Sequence, residues 1–110
     1  MILGDLNSSP DEGDSIKSAI QNLLDHSLVD SSCIPKSQAG RRLRPDHAFS
    51  AQHTTSWGLR VDYVIPSKFG LKIEQCGLFW PIKDDPLHAL IATRKASSDH
   101  RLVWLDLLVK

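Results

Sequence analysis

The sequence predicts an α+β domain of mostly antiparallel strands with flanking helices. Two observations support this class: several short apolar runs have the length of strands, and one apolar stripe repeats at helical spacing. The 110 residues suffice for one domain with a modest core. Apolar residues make up 41% and charged residues 24% of the chain, a balance typical of globular rather than disordered proteins.

The first two elements are a strand and a helix. Residues 2–6 form a short apolar run, which predicts a buried strand. A helix is expected to begin at Ser9, a good N-cap residue, followed by Pro10 and, three residues on from the cap, Glu12. Its apolar stripe, at i, i+3, i+4, i+7 and i+8, consists of Ile16, Ala19, Ile20, Leu23 and Leu24.

The rest of the chain predicts a long loop and three strands. Residues 30–56 show no sustained period, so we expect a loop of a length that is usually functional or disordered. A strand is expected over 59–66, where alternate side chains are apolar. A turn at 68–70 predicts a hairpin between this strand and a second one over 71–79. The closing strand, 102–109, has one fully apolar face.

Charge and hydropathy exclude some classes of function. Thirteen basic and thirteen acidic residues cancel, so the chain has no overall basic surface for nucleic acid. The local exception is Arg41, Arg42 and Arg44, which form either a solvated loop or a phosphate-facing patch. No apolar run approaches the ~20 residues of a membrane span, and the first residues lack the features of a signal peptide.

The two cysteines, Cys33 and Cys76, leave two alternatives open. They could pair, but nothing in their spacing indicates a disulfide framework or a zinc site. The interpretation we favour from sequence is two small buried thiols.

The first acidic motif, Gly4-Asp5-Leu6-Asn7, follows the first strand. Asp5 and Asn7 are two residues apart and therefore point the same way. A carboxylate can accept a proton from water while a neighbouring amide holds an anionic oxygen. Taken alone, however, Asp and Asn are more often turn and cap residues.

The second motif is Arg60-Val61-Asp62-Tyr63, and the third is Ser98-Asp99-His100. Asp62 lies within an apolar strand and needs a partner, for which His100 and Arg60 are the two candidates. Asp99 could ligate a hard divalent cation, and His100 could donate to a phosphoryl oxygen. The alternative for Asp99 and His100 is a polar loop that leads into the closing strand.

The other histidines have no comparable acidic neighbourhood in sequence. Two of them adjoin an aspartate, in the pairs Asp25-His26 and Asp46-His47, and we interpret both pairs as surface.

Together the three motifs resemble those of the endonuclease/exonuclease/phosphatase superfamily, magnesium-dependent phosphoesterases that include DNase I-like nucleases. Residues 4–7 resemble its GDxN motif, 59–64 its RxDYV strand and 98–101 its closing SDH motif. Residues 53–57 are similar to the aromatic-ended loop that precedes the RxDYV strand. Residues 77–81, with the closing motif, resemble a bacterial subgroup.

The resemblance implies catalytic roles for the matched positions. Asp5 would orient or deprotonate the attacking water, and Asn7 would hold the pentacovalent phosphorus. His100 would contact the phosphoryl oxygen, with Asp62 fixing its tautomer. Asp99 would be a metal ligand.

The resemblance also implies a cofactor and a substrate class. The cofactor would be Mg²⁺ or Mn²⁺, and the substrate a phosphate ester, with nucleic acid among the options. Trp57 would border the substrate groove. The loop arginines, Arg41, Arg42 and Arg44, suit any phosphate ester.

The family fold is a two-sheet β-sandwich with helices outside, and its N-terminal half supplies the Glu that holds the principal metal ion. The chain has two glutamates, Glu12 and Glu74, and neither matches that position. We therefore expect residues 1–110 to be the C-terminal half of such a domain, binding the metal weakly. The missing half, or self-association, would cover the exposed sheet face.

Two functions follow as hypotheses. The first is a magnesium-dependent phosphoesterase, a nuclease or phosphatase, that uses in-line water attack. The second is a catalytically inactive fragment that serves as an association or binding module. A serine hydrolase is disfavoured because no nucleophile elbow is present. The location would be secreted or periplasmic if a signal peptide precedes a missing N-terminal half, and cytoplasmic otherwise.

Overall fold

A computed structural model describes residues 1–110 and has the expected α+β class. Two small antiparallel sheets are combined with short helices, an arrangement consistent with part of a DNase I-like fold. The strands are β1 (Ile2–Asp5), β2 (Asp62–Ile65), β3 (Leu71–Phe79) and β4 (Leu102–Val109). The α-helices are α1 (Lys17–Leu24) and α2 (Gln38–Leu43), and 3₁₀ turns cover Ser50–Gln52 and Pro86–Leu90.

The strands pair differently from the predicted hairpin. β1 pairs with β2, and β3 pairs with β4, so the expectation that the strand at 59–66 pairs with 71–79 is wrong. Strand length gives the physical reason. β2 has 4 residues and β3 has 9, whereas β4 has 8 and pairs along nearly the whole of β3. Pairing with β4 therefore satisfies more of the backbone of β3.

The first helix begins later than expected. Its first residue is Lys17, not a residue next to Ser9. Gly13 has φ +76°, a left-handed conformation that a continuous helix excludes. The Ser9 hydroxyl accepts only one long contact, from the Asp11 N–H at 3.4 Å. The later part of the predicted stripe is confirmed, because Ile20 and Leu24 are buried.

The predicted long loop, 30–56, contains short structure that its composition did not reveal. Helix α2 and the Ser50–Gln52 turn both lie within it. The Ser37 hydroxyl caps α2 by accepting the Gly40 N–H at 3.0 Å. A helix of only 6 residues is too short for its apolar periodicity to be recognised from sequence.

Cys33 and Cys76 form a disulfide, so the interpretation as two buried thiols is wrong. Their Cα atoms are 6.3 Å apart, and the bond joins the segment before α2 to strand β3. The 43-residue separation carries no spacing signature, which is why the sequence alone left the pairing open.

The core lies between α1 and the β1–β2 sheet. It consists of Ile20, Leu24, Tyr63 and Ile65, with Leu6, Leu23 and Val29 packed against it. This packing fixes the sheet whose end carries the acidic motifs. No helix combines the length and the apolar character that crossing a membrane requires.

Candidate active site

The centre of the candidate site is a contact between Asp62 and His100. The Nδ1 atom of His100 lies 2.9 and 3.0 Å from the two carboxylate oxygens of Asp62. Both side chains are largely covered, with exposed fractions of 17% for Asp62 and 31% for His100. The carboxylate therefore accepts the Nδ1–H of the ring and leaves Nε2 without a hydrogen-bond partner.

Arg60, the other candidate partner of Asp62, is used elsewhere. Its guanidinium carbon lies 4.6 Å from the centre of the Tyr63 ring, a cation–π contact. Burial lowers the pKa of Arg60 and raises the pKa of Tyr63 to about 12. The Tyr63 hydroxyl donates to the carbonyl of Ser8 at 2.7 Å and so ties the segment after β1 to β2.

Thr54 holds the Asp62 carboxylate, a contact that the sequence reasoning missed. Its hydroxyl donates to Oδ2 of Asp62 at 2.6 Å and accepts the N–H groups of Val61 and Asp62 at 3.0 and 3.2 Å. The Thr54 side chain is buried. Thr54, Asp62 and His100 therefore form a continuous chain of hydrogen bonds.

Backbone pairing fixes the two loops that carry this chain. The Arg101 N–H donates to the Thr54 carbonyl at 2.7 Å, and the Ser56 N–H donates to the Asp99 carbonyl at 2.9 Å. Thr55 and His100 form an isolated antiparallel bridge between these contacts. The position of His100 is thus set by hydrogen bonds on both sides of it.

Asp5 lies at the same end of the β1–β2 sheet. It is directly opposite Asp62 in the register, and the ligand atoms of Asp5, Asp62 and His100 all lie within 4.8 Å of one another. The Asn7 N–H donates to Oδ1 of Asp5 at 2.7 Å, and Asn7 has φ +49°, a left-handed conformation that Asn tolerates. Both residues are exposed.

The donor set suits a hard divalent cation. Two carboxylates face each other across the strand pair, and like charges in this position repel unless a cation lies nearby. Both oxygens of Asp62 are engaged by His100 and Thr54, whereas the exposed Asp5 carboxylate bonds only to the Asn7 N–H. Asp5 is therefore the oxygen donor most available to a metal ion.

Asp99, the predicted metal ligand, does not join this group. Its Oδ1 atom lies 3.7 Å from Nε of Arg94, whose side chain is 82% exposed. A pair this long and exposed is weak. It leaves the Asp99 carboxylate able to exchange its partner.

Trp57 lies beside His100. The ring centres of Trp57 and His100 are 6.3 Å apart with the rings nearly perpendicular, and Trp57 is 48% exposed. Arg44 supports the turn that carries this tryptophan, donating from Nη2 to the Ser56 carbonyl at 3.1 Å. Gly58 is needed there, since its φ is +101° and a Cβ would meet the Arg44 guanidinium at 2.9 Å.

The other two predicted phosphate-binding arginines, Arg41 and Arg42, lie exposed in the last turn of α2. Neither side chain makes an ion pair or a hydrogen bond to Asp5, Asp62 or His100. Arg42 lines a cleft of about 390 Å³ whose wall includes Trp80. The guanidinium carbon of Arg101 lies 4.9 Å from the centre of the Trp80 ring, a cation–π contact. Burial lowers the pKa of Arg101.

Comparison with known families identifies the relationship. Residues 1–100 match the model of the Endonuclease/Exonuclease/phosphatase family. The chain belongs to this family. No curated protein and no solved structure matches the chain significantly.

Membership gives the chemical class that the geometry left open. Proteins of the Endonuclease/Exonuclease/phosphatase family are hydrolases of the nuclease and phosphoesterase type, and they generally depend on a divalent metal. The matched segment includes Asp5, Asp62 and His100, the residues that form this cluster.

Proposed function

We propose that the chain is a magnesium-dependent phosphoesterase, or the C-terminal part of one, that hydrolyses phosphate esters by in-line attack of water. The observation that carries this proposal is the Asp62–His100 pair beside Asp5, with Nε2 of His100 free. A carboxylate-held imidazole next to an exposed carboxylate supplies both proton transfer and phosphate contact.

Each residue has a defined task in this proposal. Asp5 accepts the proton of the attacking water, and the Asn7 amide contacts the phosphoryl oxygens. His100 donates from Nε2 to a phosphoryl oxygen while Asp62 holds Nδ1–H. Mg²⁺ would neutralise the phosphate charge, held by the Asp99 carboxylate in place of its exposed Arg94 partner, so that Asp5 stays free to accept the proton.

The principal metal-binding glutamate is expected from outside residues 1–110. Glu12 is occupied by two imidazoles, since the Nε2 atoms of His47 and His53 lie 3.0 and 2.9 Å from its oxygens. Glu74 lies in β3 and pairs with Lys72 on the surface at 2.7 Å. We infer that an N-terminal half of the domain completes the site, and that without it Mg²⁺ binds weakly.

The second candidate function is a catalytically inactive association module. All four residues of β1 are exposed, and Leu3 is 65% exposed on a strand with only one neighbour in its sheet. An apolar edge strand of this kind is a template for pairing with another chain. The partner would be the N-terminal half or a second copy.

Hydrolysis assays separate the two candidates. Plasmid DNA and a generic phosphodiester are incubated with the protein and Mg²⁺, with an EDTA control. The enzyme hypothesis predicts that His100→Ala loses about 10²–10⁴-fold in rate. His26→Ala, an exposed histidine outside the site, is the matched control. Equal rates for wild type and His100→Ala would contradict the catalytic assignment, and no activity in either protein would favour the association module.

The disulfide favours a location for the protein. Cys33 and Cys76 are joined, and such bonds persist in oxidising compartments. The proposal for localisation is therefore a secreted or periplasmic protein. Detection of the reduced thiols in protein isolated from its native compartment without reductant would argue against it.

A further inference from the structure

A second cluster of ligand-type side chains lies outside the site described above. Oε1 of Glu12 is 3.0 Å from Nε2 of His47, and Oε2 is 2.9 Å from Nε2 of His53. The three ligand atoms lie within 4.8 Å of one another. The sequence reasoning interpreted His47 as surface and did not connect either histidine with Glu12, which is 41 residues from His53.

The fold holds the three side chains from two segments. His47 and His53 flank the Ser50–Gln52 turn, where the Ser50 N–H bonds to the His47 carbonyl and the His53 N–H to the Ser50 carbonyl. Glu12 is held from its own backbone, since Nζ of Lys17 donates to the Glu12 carbonyl. Hydrogen bonds within each segment therefore support the positions of the three side chains.

The charge of Glu12 lacks a permanent counter-charge. Its side chain is only 11% exposed, and no lysine or arginine pairs with it. A carboxylate this well covered requires compensation by a positive charge. Its two imidazole partners supply that charge only when protonated, or when they and the carboxylate share a cation.

We propose that Glu12, His47 and His53 form a second metal site, which takes a transition-metal dication of the Zn²⁺ type. Two imidazole nitrogens and one carboxylate are the ligand set that zinc prefers, while Mg²⁺ prefers oxygen ligands alone. Ligands about 2.0–2.2 Å from a tetrahedral ion lie roughly 3.3–3.6 Å apart, so the two carboxylate–imidazole distances of 3.0 and 2.9 Å need to lengthen by only a few tenths of an ångström.

Metal binding changes where the imidazole protons lie. Each Nε2 must present its lone pair, which requires the proton on Nδ1. For His47 this breaks one long hydrogen bond, from the Phe49 N–H to Nδ1 at 3.4 Å. The ring is 45% exposed, so water can accept a hydrogen bond from the new Nδ1–H. Nδ1 of His53 is buried without a partner in either tautomer.

The site has a structural consequence for the catalytic pair. His53 is 1% exposed and directly precedes Thr54, the residue that holds Asp62. A metal ion shared by Glu12 and His53 would fix the segment after β1 to the Thr54 loop. The open side at His47 leaves a coordination position to solvent.

Direct metal titration tests the proposal on the intact chain. Protein freed of metal with a chelator is titrated with Zn²⁺ against a chromophoric competitor, and with Co²⁺ for its visible absorption. We expect one Zn²⁺ per chain, a rise in Tm, and Co²⁺ bands of a tetrahedral or five-coordinate site. His47→Ala, a change at an exposed ring, should weaken binding at least about tenfold.

Two control variants define the outcome. His100→Ala and His26→Ala should keep wild-type Zn²⁺ affinity, because neither histidine belongs to this cluster. Glu12→Gln, which keeps the side-chain shape, should weaken binding as His47→Ala does. Absence of stoichiometric binding, or equal affinity in wild type and His47→Ala, would overturn the proposal. Neither result depends on hydrolysis, so failure of the zinc-site proposal can be distinguished from failure of the phosphoesterase proposal.

Discussion

Thr54 positions Asp62, the residue that holds the His100 ring, through the hydrogen bonds of its side chain. Its one hydroxyl serves the Asp62 carboxylate and two backbone N–H groups, all in a buried setting. Replacing it leaves two backbone donors without an acceptor and frees Asp62 to turn away from His100. The residue therefore affects both stability and the geometry of the imidazole.

Thr54→Val tests this role with an isosteric side chain. We expect a loss of about 1–3 kcal/mol in the free energy of unfolding, because the buried N–H groups lose their acceptor. In an active preparation kcat should fall while KM changes little. Thr54→Ser retains the hydroxyl and should keep both the free energy of unfolding and kcat near the wild-type values. Urea denaturation and steady-state kinetics provide the measurements, and a Thr54→Val protein with wild-type kcat would contradict the positioning role.

Tyr63 makes stability depend on alkaline pH. Burial raises its pKa to about 12 in the folded protein, against an ordinary value of 10.0. Between these values the unfolded chain has lost the phenolic proton and the native protein keeps it, so stability falls as pH rises. The loss should reach about 2–3 kcal/mol at pH 12.

Absorbance during an alkaline pH titration measures the ionisation of Tyr63. Tyr63 is the only tyrosine, so the phenolate absorbance of the native protein reports on it alone. Tyr63→Phe should remove the part of the alkaline destabilisation due to this group, while the contribution of the lysines remains. Ionisation of the native phenol near pH 10 would contradict the burial argument.

An acid in an apolar strand needs a partner, and the residues alone left His100 and Arg60 as two candidates for Asp62; the family resemblance implied His100. The structure removes the other candidate by stacking Arg60 on Tyr63. Thr54 could not be found in this way, because hydroxyl side chains find partners in every kind of structure. The Glu12 cluster was missed for a different reason, since it joins segments far apart in sequence.

At the scale of elements, strand positions were predicted better than strand partners. The closing strand was predicted over 102–109, and the structure has it over the same residues. Partner choice depends on which neighbour satisfies more backbone groups, and this depends on tertiary packing. Gly13 similarly overrode the capping pattern at Ser9, because its left-handed φ interrupts the helix.

The disulfide between the segment before α2 and β3 should be a main source of stability. It closes a loop of 43 residues in sequence separation, which in the chain-entropy account is worth about 2–4 kcal/mol. Reduction, or the double change Cys33→Ser and Cys76→Ser, should lower Tm by roughly 10 °C or more. Calorimetry with and without reductant measures this, with the double variant as a control for direct effects of the reductant. An unchanged Tm would contradict the prediction.

At the scale of the whole molecule, the apolar surface is extensive for a chain of this size. Large apolar side chains exposed by half or more include Leu3, Phe69, Leu102, Leu108 and Val109. Exposed apolar area of this kind marks association surfaces. We therefore expect concentration-dependent self-association in the absence of another partner.

Sedimentation velocity over a wide concentration range checks this expectation. Leu3→Lys places a charge on the exposed strand β1 and should shift the equilibrium toward monomer, since edge strands are protected in this way. Lys68→Glu, a charge change outside the strands, serves as the control. A strictly monomeric wild-type chain would contradict self-association through this surface.

In the proposed function, Asp62 and His100 act as one unit in phosphate-ester hydrolysis. A double-mutant cycle tests this coupling, with Asp62→Ala, His100→Ala and the double variant compared in Mg²⁺-dependent hydrolysis. We expect that each single change removes most of the activity and that the double variant is hardly slower than His100→Ala. Multiplicative losses from the two changes, or wild-type rates in either single variant, would contradict it.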